Sequence, residues 1–121
     1  MENLFSGIDT IILRVTSIET ASAWYHEKLG FKPTWQDDNL KLVVLDTGGP
    51  TSITLWQSAE KITAHPEATP YPIFGIKDAR SGREVLIARG VRVGELTSDH
   101  VTTYFRFFDA DGNMLEACQV H

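Results

Sequence analysis

Apolar and polar residues alternate from Ile8 to Val15. Ile11, Leu13 and Val15 fall on one side, and Ile8, Thr10, Ile12 and Arg14 on the other, as in a half-buried strand. The period then lengthens. Ala21, Trp24, Tyr25 and Leu29 recur at helical spacing behind Ser17 or Thr20 as N-cap, and Gly30 offers a left-handed stop. Phe31 to Gln36, Leu40 to Asp46 and Thr51 to Gln57 read as three more strands. The turn clusters Asp37-Asp38-Asn39 and Thr47-Gly48-Gly49-Pro50 separate them. Ser58 to Pro70 is polar and contains prolines, and reads as a linker.

The order then repeats. Tyr71 to Lys77 predicts a strand and Ala79 to Arg89 a helix stopped by Gly90. Val91 to Glu95, His100 to Phe108 and Met114 to Val120 predict three further strands. Gly30 lies fifteen residues after Val15 and Gly90 fourteen after Ile76, a match that favours duplication. The expected architecture is one α+β domain over 1–121, made of two βαβββ modules at 7–57 and 71–121 joined by the linker at 58–70. Each helix is expected on the outer face of a curved mixed sheet whose other face borders a cavity.

Composition narrows the function. The 121 residues carry a net charge of -5, which argues against nucleic acid, whose phosphates need a basic face. No apolar run approaches the ~20 residues that span a bilayer. The start, Met1-Glu2-Asn3-Leu4-Phe5-Ser6, lacks a basic region followed by an apolar one, so no signal peptide is expected. The single Cys118 excludes an internal disulfide and fits a reducing cytoplasm.

Three motifs carry a resemblance: Leu13-Arg14-Val15; Trp24-Tyr25 through Leu29-Gly30-Phe31; and Asp109-Ala110-Asp111-Gly112-Asn113 followed by Glu116. Over nearly its whole length the chain resembles the vicinal oxygen chelate superfamily of glyoxalase I, extradiol dioxygenases, fosfomycin-resistance enzymes and bleomycin-resistance proteins. Ala110 stands where that family has the proline of its DPDG turn. The resemblance implies metal ligands on the first and fourth strands of each module. These positions fall on Thr10, Thr54, Pro72 and Glu116, and the neighbours Ile53, Leu55, Tyr71 and Ile73 are no better as ligands. A metal with open positions needs about three protein ligands, and only Glu116 qualifies. No cofactor is therefore expected. A divalent metal remains possible through His100 or a residue of a partner chain. The family's habit of closing its sheets by pairing modules or chains implies a homodimer.

Individual residues sharpen the expectation. A three-residue loop Ala110-Asp111-Gly112 sets Asp109 opposite Asn113, and hence Arg106 opposite Glu116 and Tyr104 opposite Cys118. That pairing predicts an ionised Glu116 with a lowered pKa, which is poor tuning for a general base, and Glu116 reads either as a base or ligand anchor or as a structural carboxylate. Arg14 is either an anion anchor, the role the resemblance implies, or half of an ion pair. Trp56 suits an aromatic wall or the core, whereas Trp35 is expected in the core or a dimer interface. His26, His65 and His121 are expected in solvent. His100, at a strand start, is the histidine best placed for acid–base work at a cavity rim. Cys118 reads as a small buried hydrophobe. The residues expected to carry function are Arg14, Trp56, Tyr104, Arg106 and Glu116. The leading expectation is a cytoplasmic protein that binds a small metabolite or drug without a metal. The alternatives are a lyase, isomerase or dioxygenase using Glu116, and a module with no ligand.

Overall fold

The computed structural model describes residues 2–61, 63 and 65–121; Met1, and Ile62 and Ala64 of the expected linker, lie outside the described residues. Two compact units divide the chain, Met1–Lys61 and Ile62–His121.

In the first unit, β1 (Thr10–Val15), α1 (Ile18–Leu29), β2 (Lys32–Asp37), β3 (Leu42–Asp46) and β4 (Ser52–Gln57) follow one another. The sheet order is β1-β4-β3-β2, with β1 parallel to β4 and the other neighbours antiparallel. The register aligns Leu13 with Leu55 and Leu55 with Val43, so the aliphatic sides of three strands meet on one face. Ile18, Ala21 and Tyr25 of α1 are buried with them. Each such buried aliphatic or aromatic side chain contributes about 1.5–3 kcal/mol. Ser17 caps α1 by accepting from the Thr20 N–H at 3.3 Å, and Gly30 ends it at φ 77°.

The second unit repeats the plan with β5 (Ile73–Gly75), α2 (Ala79–Ala88), β6 (Arg92–Val93), β7 (Thr97–Ser98), β8 (Thr102–Phe108) and β9 (Met114–Val120). The order is β5-β9-β8-β6, with β7 also on β8 and β5 parallel to β9. Phe105, Phe107, Leu115 and Ala117 form the face buried with Ala79 and Leu86 of α2. The duplication extends to a detail of helix capping. Gln57 Oε1 of β4 accepts from Ile18 N–H at 3.2 Å, and Gln119 Oε1 of β9 accepts from Ala79 N–H at 2.9 Å. In both units a glutamine from the last strand satisfies the first helical N–H, which has no partner inside the helix.

The fold is α+β, as the periodicities indicate, but the strand expected over Val91 to Glu95 is reduced to β6 at Arg92–Val93, and β7 at Thr97–Ser98 lies beyond it. β6 pairs Val93 with Phe107 and β7 pairs Thr97 with Tyr104, so four steps on one strand face three on the other. The extra residue makes a bulge at Gly94–Leu96, where Gly94 N–H donates to the Arg106 carbonyl at 2.7 Å. The first unit has its own irregularity in its fourth sheet position, between Pro33 and Trp35. β5 is also shorter than the expected Tyr71 to Lys77, because proline at 72 has no N–H to give to a ladder.

The β8–β9 hairpin depends on Asp109, which is 7% exposed. Its Oδ1 accepts from the Asp111 and Asn113 N–H groups at 2.9 and 2.8 Å, and its Oδ2 from Asn113 Nδ2 at 2.9 Å. Gly112 occupies the left-handed region at φ 86°. Asp109→Ala strands half-buried donors and is expected to lower the unfolding free energy by about 1–3 kcal/mol. Gly112→Ala is expected to lower it by about 1 kcal/mol through its backbone conformation alone. Urea denaturation measures both, and a loss below 0.5 kcal/mol (roughly the level of an ordinary surface change) for Asp109→Ala contradicts this role.

Candidate functional site

Strand alternation gives each sheet a second face that carries no helix. In the second unit this face holds Thr102, Tyr104, Arg106 and Phe108 from β8, and Met114, Glu116 and Cys118 from β9. The register sets Arg106 opposite Glu116 and Tyr104 opposite Cys118, as the turn predicts, with Ile73 of β5 on the other side of Glu116. Glu116 is 6% exposed and its backbone N–H donates to the Pro72 carbonyl at 3.1 Å. Arg106 Nε lies 3.8 Å from Glu116 Oε1, beyond hydrogen-bonding distance. Arg106 also donates from Nη2 to the Tyr71 hydroxyl at 3.4 Å, with its guanidinium 5.4 Å from the Tyr71 ring centre.

Beside this pair lies a cavity of about 360 Å³, lined by Gly94, Glu95, Thr97, Tyr104, Arg106 and Phe108. The β6–β7 bulge supplies Gly94 and Glu95 to its edge. Arg92 stacks on Phe108, its guanidinium 4.0 Å from the ring centre. Two of the expected residues, Tyr104 and Arg106, therefore line a cavity, and Glu116 meets Arg106 next to it. Tyr71, Arg92 and Phe108 were not singled out in the sequence. The parallel β5–β9 register, which the structure supplies, brings the segment before β5 against Glu116 and so places Tyr71 here.

The electrostatics correct one expectation. Glu116 is held above the ordinary glutamate value, not below it; burial is the larger cause, and the attraction of Arg106 opposes it without overcoming it. Arg106 is 42% exposed at its side chain, so water screens the partner that was expected to dominate. His100 is also displaced from its expected place. It sits exposed in the β7–β8 turn, where Asp99 accepts from the Val101 and Thr102 N–H groups at 2.8 and 2.7 Å, and it does not begin the strand. His26, His65 and His121 are exposed, and His121 Nε2 meets Thr103 Oγ1 at 2.6 Å. Cys118 is half-buried.

In the first unit the helix-free face carries Thr10, Ile12 and Arg14 of β1 beside Ser52, Thr54 and Trp56 of β4. Arg14 stacks on Trp56 with its guanidinium 4.8 Å from the ring centre, so these two expected residues meet. Trp35 is 56% exposed on the same face, paired with Val44, and is no part of the core. The Pro33–Trp35 irregularity sets its position in the pairing.

The family model of the Glyoxalase/Bleomycin resistance protein/Dioxygenase superfamily matches residues 7–117. The chain belongs to this superfamily. No curated protein matches it. Solved structures of similar fold include TnmS3, an antibiotic binding protein from Streptomyces sp. CB03234, at 20% identity and a TM-score of 0.78, covering 99% of this chain and 100% of that one. FosX, a fosfomycin resistance protein from Listeria monocytogenes, matches at 15% identity and a TM-score of 0.81, covering 98% and 96%. A glyoxylase/bleomycin resistance protein/dioxygenase domain from Frankia sp. EAN1pec matches at 23% identity and a TM-score of 0.77, covering 97% and 93%.

The superfamily's metal is tested by the donors at the positions that would hold it. Thr10 and Thr54 lie within 2.8 Å of each other through their hydroxyls, and Thr10 also donates to the Ser52 carbonyl. Pro72 offers no side-chain donor atom. Glu116 is the one anionic group of the four, and among the described residues no three His, Cys, Asp or Glu side chains converge. This set does not fit a divalent metal.

The raised Glu116 value fixes a sign for stability. The folded protein holds the Glu116 proton more tightly than the unfolded chain, so this group lowers stability as pH rises from about 4.5 through its folded value. Glu116→Gln is expected to raise the unfolding free energy at pH 7 by on the order of 1 kcal/mol. The gain should shrink as pH falls toward 4.5. Denaturant midpoints at several pH values check this; a variant less stable than the parent at pH 7 contradicts it.

Proposed function

We propose that this superfamily member binds a small polar or aromatic metabolite or drug on the helix-free face of its second unit, without the usual metal. The observation that carries the reading is Glu116. It is a carboxylate on a largely buried residue that makes no hydrogen bond to the described residues, and it stands beside a half-exposed arginine and a cavity. No fully buried side-chain polar atom among the described residues lacks a partner, so the Glu116 oxygens are open to solvent and a ligand donor would take the place of water there. In this reading Glu116 and Arg106 anchor the ligand, and Tyr104 and Tyr71 form its wall. Arg14 and Trp56 are proposed as an anion anchor and an aromatic wall in the first unit. The similar folds of an antibiotic binding protein and a fosfomycin resistance protein support a small-molecule role. The protein is proposed to act as a cytoplasmic homodimer. No helix among the described residues is long and apolar enough to cross a membrane.

A second reading, a lyase, isomerase or dioxygenase, is favoured by the upward shift of Glu116, which moves a carboxylate toward the working range of a general base. Metal content per subunit and a ligand screen separate the two. The binding reading predicts metal at background after expression with Ni, Zn, Mn, Fe and Co and then dialysis. It also predicts small molecules that raise the melting temperature of the parent but not of Arg106→Met. A ligand present at one hundred times its Kd stabilises by about 2.7 kcal/mol, which is readily seen. Near-stoichiometric metal surviving dialysis overturns the metal-free reading and puts the enzyme first.

A further inference from the structure

The Arg106–Glu116 pair narrows the chemistry of the ligand, an inference that rests on the site proposed above. We propose that the pair recognises a neutral carboxamide, with the amide N–H donated to Glu116 and the amide carbonyl accepting from Arg106.

The two side chains stand opposite each other on β8 and β9 and point to the same face. They balance in charge, yet at 3.8 Å neither fills the other's hydrogen-bonding capacity. Arg106 has five N–H donors and makes one long bond, at 3.4 Å, to Tyr71. Glu116 has acceptor capacity and no donor among the described residues. The ligand group that completes both needs a donor and an acceptor side by side. A carboxamide supplies them side by side in one plane, and Tyr104 and Phe108 line the adjoining cavity that would take the rest of the ligand.

Charged alternatives fit less well. A carboxylate bound to Arg106 sits beside Glu116 and in a cavity that Glu95 also lines. An ammonium or amidinium bound to Glu116 sits against Arg106, with Arg92 on the same face. Each brings a like charge into a partly buried site, and like-charge juxtaposition is strongly unfavourable. A neutral amide brings none.

Three planar probes of one size test this: benzamide, benzoate and benzamidinium. Each is titrated into isotopically labelled protein at pH 7 and followed by NMR at Tyr71, Tyr104 and Arg106. The expected result is that benzamide binds about tenfold more tightly than either ion. Glu116→Gln should turn the preference toward benzoate and Arg106→Met toward benzamidinium, with both spectra otherwise parental. Tightest binding of benzoate or benzamidinium to the parent, or an unchanged ranking in both variants, overturns the ligand class while leaving the site in place. Shifts at none of the three residues with any probe overturn the site together with the ligand class.

Discussion

The Asp109 carboxylate holds the register on which the second unit depends. By accepting from two backbone N–H groups and the Asn113 amide, it closes the β8–β9 hairpin at one length. A slip of one residue would turn every side chain of a strand to the opposite face. Phe105 and Phe107 would leave the core, and Arg106 and Glu116 would face the helix. The core and the polar pair are thus two consequences of one turn, and a carboxylate can stay buried because the strand that carries it is fixed by apolar neighbours on its other face.

Two carboxylates of this unit show how placement decides charge. Asp99 is exposed and is held below its ordinary value, first by the Thr102 backbone N–H and then by that of Val101. Glu116 has a cation nearby instead of backbone donors, and burial outweighs the cation. Proximity to an arginine is therefore a poorer guide than the number of donors and the depth of the group.

The period-two and helical patterns made the modules, both helices and most strands legible in the sequence, and the turn at Asp109 made the Arg106–Glu116 pairing legible. What escaped had non-local causes. The Gly94–Leu96 bulge arises because β6 and β7 meet β8 one residue out of step, which no local pattern records. Trp35 was expected in the core or a dimer interface, and its register with Val44 turns it to the helix-free face and away from the core. Tyr71 lay beyond reach because its partner is a parallel strand forty residues on, where sequence carries no turn to count from. The sign of the Glu116 shift depends on how deeply each partner is buried, which follows from packing rather than pairing.

The duplicated glutamine caps show that the two units solve one local problem in one way, yet their helix-free faces have diverged. One carries a hydroxyl pair and an arginine on tryptophan, the other a carboxylate, an arginine and tyrosines. Glu116 sits on a largely buried residue, makes no hydrogen bond to the described residues, and is held above its ordinary value by burial. The most direct test is a carbon-detected titration of its carboxyl group in the ligand-free protein. A midpoint above 4.5, rising further in Arg106→Met, is the predicted result. A midpoint below 4.5 would show a carboxylate already satisfied within the fold and would contradict the account.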